Sequence, residues 1–179
     1  MAAIPQLEAT QRYLHSMSPL HAIVPFVLAA AFTPTQGQRL LHSRELWATV
    51  NVCSPKDQPN TIGIRGSMPG DGHAKDTMYM RFTVQYEEST TKQWAAVGKE
   101  ADSGFLKVGS ADLARQAGRS FQFAPAAGKP AYVLRGDVVF QWRRGTTVLE
   151  TTTVPTTASR NSLAGADPAG YSSASCTLA

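Results

Sequence analysis

Residues 131–144 read AYVLRGDVVFQWRR, the longest run in the chain in which apolar and polar side chains alternate. Tyr132, Leu134, Gly136, Val138, Phe140 and Trp142 share one face at a period of two. Arg135, Asp137, Gln141 and Arg143 share the other, with Val133 and Val139 interrupting it. A helix would mix Arg, Asp and Trp around its circumference, and the run is rich in β-branched and aromatic residues, so the pattern predicts a long strand with its first face in a core.

Working outward, Gly145 reads as a turn and Thr146–Val154, TTVLETTTV, as the hairpin partner of the long strand. Upstream, Met78–Glu88 alternates Met78, Met80, Phe82, Val84 and Tyr86 against Tyr79, Arg81, Thr83 and Gln85. Thr61–Met68 and the run ELWATVNVC, ending at Cys53, are further strands bounded by Pro and Gly turns. Shorter candidates are Gln93–Val97, Gly104–Val108, the Phe121 and Phe123 pair, and Tyr171–Leu178; Ala111–Ala117 is the one helix-like patch of this region. About eight strands at short spacing in one domain-sized chain of 179 residues predict an all-β, two-sheet antiparallel sandwich.

Only 17% of the residues are charged, and the formal net charge is +4. The cations are scattered, so the clustered basic stripe of a nucleic-acid-binding protein is not expected. Residues 1–37 differ from the rest. Ala22–Phe32 is an uncharged apolar run of 11 residues, too short for the ~20 needed to span a bilayer as a helix but suited to a signal peptide. The expected organisation is a targeting segment over 1–37, forming a short hydrophobic helix, then a sandwich over 38–179, secreted and without a transmembrane span. A buried helix in a cytosolic protein is the alternative. Cys53 and Cys176, 123 positions apart, are expected to form a disulfide in an oxidising compartment, with two buried thiols as the other reading.

The order strand, Tyr-x-Leu-x-Gly-x-Val-x-Phe-x-Trp strand, turn and Thr-rich strand resembles the closing hairpin of immunoglobulin-like or fibronectin type III-like domains. From about Leu46 the chain is similar to small secreted actinobacterial proteins of that type. The resemblance implies fold and compartment, and no catalytic residue travels with it. It departs from antibody domains in its cysteines, Cys176 lying at the extreme C-terminus, so their inter-sheet pin is not carried over.

Arg135-Gly136-Asp137 is an integrin-type tripeptide, but inside a strand its backbone is committed to a ladder; Gly136 instead suggests a bulge or a close neighbour. Asp71, His73 and Asp76 gather two carboxylates and an imidazole in what reads as a loop. They are the only weak metal candidates and lack EF-hand spacing, since the twelfth position from Asp71 is Phe82. No serine sits in G-x-S-x-G, and no catalytic residue or cofactor is expected. Trp47 and Tyr79 fall opposite their strands' apolar rows. With Arg81 and Arg135 they are the candidate binding residues, for a glycan or anionic polymer held by stacking and charge. The expected function is a non-catalytic binding or structural module at or outside the cell surface, its partner a cell-surface polymer or a protein. A secreted hydrolase or metal-dependent enzyme using Asp71, His73 and Asp76 is the alternative.

Overall fold

A computed structural model describes residues 35–124, 131–158 and 164–178; the apolar run expected to be a signal helix lies outside them. The decisive stretch forms β7 (Tyr132–Arg144), 13 residues of strand. Along one side it pairs antiparallel with β3 (His73–Glu87), from Thr77 opposite Arg143 to Tyr86 opposite Leu134. The other side of β7 is shared end to end by β8 (Thr147–Pro155) and β9 (Cys176–Leu178). The far side of β3 is likewise shared by β4 (Trp94–Ala96) and β5 (Asp102–Ala111). A second sheet has the order β1 (Trp47–Cys53), β2 (Thr61–Met68), β6 (Arg115–Gln122). All these pairings are antiparallel. With the first, second and sixth strands facing the third, seventh and eighth, the strand order is that of an immunoglobulin-like sandwich.

The core lies between the sheets. Met78, Met80, Phe82 and Val84 of β3 and Val138, Phe140 and Trp142 of β7 are fully buried against Ile62, Ile64 and Met68 of β2 and Val50 of β1. Each such side chain contributes about 1.5–3 kcal/mol of burial. The indole N–H of Trp142 donates to the Pro69 carbonyl at 2.9 Å, so its one polar atom is satisfied inside. Gly136 faces inward, and a Cβ there would lie 2.7 Å from Ile64, which fills that space. The close-neighbour reading of Gly136 is therefore the right one. Tyr132, expected in the core, is 41% exposed at the end of β7.

In β1 strict alternation fails once. Val50 pairs with Ile64 but Val52 pairs with Gly63, a bulge that inserts one residue and swaps the faces beyond it. Cys53 thereby turns inward opposite Ile62 and bonds Cys176, with a Cα–Cα separation of 5.5 Å. The disulfide crosses from one sheet to the other, through the first and last strands rather than the pair used by antibody domains.

The other face of β1 is covered too. Thr49 Oγ1 lies 2.8 Å from Ser172 Oγ, Asn51 donates to the Gly165 carbonyl at 2.8 Å, and Val50 and Ser173 exchange backbone hydrogen bonds. Trp47, expected exposed, is 8% exposed on this strand. The segment Ala111–Ala117 is not helical: β5 ends at Ala111, a turn follows, and β6 begins at Arg115. A short helix, α1 (Gln36–Leu41), opens the described residues; Thr35 caps it, Leu40 is buried, and it straddles the 37/38 boundary expected from sequence.

Candidate functional site

The outward faces of β5, β3 and β7 carry cations and aromatic rings in register. Arg81 pairs with Phe105 across β3 and β5, and Tyr79 with Lys107. Tyr79 lies opposite Gln141, and Thr77 opposite Arg143, on β7. The Arg143 guanidinium sits 4.2 Å from the Tyr79 ring centroid and 4.7 Å from that of Phe105, and its Nε donates to Gln141 Oε1 at 2.8 Å. Stacking of this kind contributes about 0.5–1 kcal/mol at an exposed site and fixes the orientation of the guanidinium. Arg81 is committed elsewhere: it grips both Asp102 oxygens, one at 2.8 Å. That hydrogen bonding holds the Asp102 carboxyl below its usual range.

At the opposite end of the same face, Arg135 lies 4.4 Å from the Trp94 ring centroid and donates to Gln85 Oε1 at 2.8 Å. Asp137, next outward on β7, accepts from Gln85 Nε2 at 3.3 Å. Desolvation by its surroundings raises the Asp137 carboxyl, with Arg135 pulling the other way. The strand therefore presents Arg135 and Asp137 outward and Gly136 inward, all three in the β3–β7 ladder.

Of the four expected binding residues, the sheet places Tyr79 and Arg81 side by side, puts Arg135 at the far end of the same face and leaves out Trp47, which lies buried in the second sheet. Arg143, Phe105, Trp94 and Lys107 complete the surface. Arg143 is visible on the polar side of the long strand, but its contact with Phe105 depends on the β3–β5 register, which has shifts between His73 and Thr77, Met78 and Tyr79, and Arg81 and Thr83.

Asp71, His73 and Asp76 also converge: their ligand-type atoms lie within 4.8 Å of one another. His73 and Asp76 stand on β3 rather than in a loop. Asp76 is buried with both oxygens engaged by Arg144, at 2.7 and 2.8 Å, and the guanidinium pulls its carboxyl below the usual range. Asp71 Oδ1 accepts from the His73 N–H at 2.8 Å. Burial raises the Asp71 carboxyl, and the neighbouring Asp76 adds to the effect. Gln36 of α1 donates to the Asp71 carbonyl at 2.8 Å, beside a cavity of about 230 Å3 that Asp71, Asp76, Arg144 and Glu150 help to line. Any cation drawn to Asp76 has to displace Arg144, so the cluster has the form of a structural clamp.

No protein-family model matches the chain, and no curated protein does. Among solved structures it is similar to part of a Bacteroides uniformis beta-glucuronidase 2, covalently bound to cyclophellitol-6-carboxylate aziridine, with 16% identity and a TM-score of 0.30. The match covers 62% of this chain and 12% of that one, and no functional residue is carried over from it.

Proposed function

We propose that this chain is a non-catalytic binding module that works at or outside the cell surface, with the outer face of β5, β3 and β7 as its contact surface. The observation that carries the reading is the pair Arg143 and Arg135, each laid against an aromatic ring and neither within ion-pair distance of a carboxylate among the described residues. Guanidiniums held this way are pre-organised donors, and binding to them forfeits little side-chain entropy. The inter-sheet disulfide supports an oxidising compartment. Retention on a panel of immobilised acidic and neutral polysaccharides tests the reading. Wild-type protein is retained on an acidic one, and the double variant Arg135→Gln, Arg143→Gln, folded by circular dichroism, is released; passage of wild-type protein through the whole panel refutes it.

The second reading is a metal-dependent enzyme built on Asp71, His73 and Asp76, favoured by their convergence and opposed by the Arg144 clamp on Asp76. Calcium or zinc raising the melting temperature of wild-type protein but not of Asp71→Asn supports it. Indifference to both ions and to chelators removes its metal version.

A further inference from the structure

The two ring-backed guanidiniums stand at opposite ends of one face. Arg135 and Arg143 are eight residues apart on the same strand and the same side, which at about 3.4 Å per residue places their backbones about 27 Å apart. Between them β7 turns Asp137, Val139 and Gln141 outward, and the neighbouring strands add hydroxyl side chains at Thr83, Thr151 and Thr153. Over the face as a whole four cations, Arg81, Arg135, Arg143 and Lys107, stand against three carboxylates, Asp102, Asp137 and Glu87.

Resting on the binding reading above, we infer that the ligand is an extended anionic polysaccharide lying along β7 and held at two stations, one at Arg143 with Tyr79 and Phe105, the other at Arg135 with Trp94. A small anion uses one station and gains nothing from the other. A chain long enough to span the face engages both, and the second contact forms at high effective concentration. The hydroxyl-rich backbone of a polysaccharide suits the amide of Gln141 and the hydroxyls of Thr83, Thr151 and Thr153 between the stations. A single-stranded nucleic acid is a poorer fit, because base stacking needs open ring faces and the guanidiniums already occupy faces of Tyr79 and Trp94.

Calorimetry with polygalacturonate oligomers of two lengths tests this on the full chain, one too short to reach beyond a single station and one longer than about 27 Å. The short oligomer binds weakly at two sites per chain; the long one binds at one site, about a hundredfold more tightly. Arg143→Gln or Arg135→Gln alone, with the melting curve unchanged, removes one of the two short-oligomer sites and most of the hundredfold gain. Methyl-esterified polygalacturonate, which has the same backbone without the charge, does not bind.

Equal affinity for both lengths, a single short-oligomer site in the wild type, or tighter binding of the esterified chain overturns the two-station inference while leaving a binding face in place. Single-stranded DNA binding more tightly than the long oligomer overturns the ligand class. No binding of any of these polymers at low salt overturns the inference together with the binding reading as applied to acidic polymers.

Discussion

Arg144, more than half exposed, reaches over the end of β3 to hold both oxygens of Asp76, a carboxylate that is 1% exposed. The two partners are unequal. Removing the carboxylate frees a guanidinium that can swing into water, whereas removing the guanidinium leaves a buried anion beside Asp71. Arg144→Met is therefore expected to lower the melting temperature more than Asp76→Asn does, at neutral pH. Thermal unfolding of the two variants checks the order, and a larger loss from Asp76→Asn contradicts the clamp.

The same pair of carboxylates sets opposite pH trends. Asp76 has a folded-state carboxyl below the ordinary 3.8, so its contribution is present above 3.8 and fades as pH falls through the depressed value. Asp71 has a folded-state carboxyl above 3.8, so it favours the fold below 3.8 and loses that contribution as pH rises through the raised value. Asp71→Asn, which keeps an oxygen to accept the His73 N–H, should stabilise the protein at pH 7 and be neutral below about pH 3. Denaturant melts across that range measure the crossover; a variant less stable than wild type at pH 7 reverses the sign of the argument.

The disulfide closes a loop of 123 positions, for which chain entropy allows roughly 5 kcal/mol. Replacing both cysteines with serine should cost on that order in urea unfolding, and a loss below about 1 kcal/mol would show that the denatured chain is already ordered there. The pairing was readable from compartment and position, but the geometry behind it was not. Simple alternation places Cys53 opposite Val50, pointing out of the sandwich, and only the extra residue between Val50 and Val52 turns it in. A bulge leaves no mark in a hydrophobic period counted over seven residues. The burial of Trp47 is illegible in the sequence for a related reason. On its strand Thr49 and Asn51 are hydrogen-bonded by the segment around Gly165 and Ser172, more than a hundred residues away, and local periodicity reports which residues share a face, not what later covers it.

The long strand was legible because its inner face is uniformly apolar and its partner β3 repeats the rhythm. Gly136 is the one inward position without a side chain, and it exists for Ile64: a Cβ would meet three Ile64 atoms at 2.7 to 2.8 Å. Gly136→Ala is expected to cost about 1–3 kcal/mol by overpacking. Ile64→Val made in the same molecule should recover part of that, so the double variant is less unstable than the sum of the singles. Additive losses in a double-mutant cycle would mean that the glycine serves the backbone instead.

Asp137 gives the proposed binding face a pH dependence with a definite sign. It lies on β7 between the two stations, flanked by Arg135 on its own strand, by Thr83 and Gln85 on β3 and by Pro155 on β8. Burial raises its carboxyl above the ordinary 3.8, so as pH falls from 7 the face loses a negative charge before a solvent-exposed carboxylate would. Removing one repulsive charge about 10 Å from a bound anion is worth roughly a twofold gain in affinity. Dextran sulfate is the informative ligand, because its sulfates do not titrate in this range and the whole pH trend belongs to the protein. Affinity for it should rise as pH falls below 7 in wild-type protein, and Asp137→Asn should bind more tightly at pH 7 with a flattened profile. His73 stands near the start of β3, before the positions that pair with β7, so a His73→Gln variant should keep the wild-type slope. A slope that survives in Asp137→Asn and vanishes in His73→Gln would move the titrating group, and the ligand with it, off the β3–β7 face.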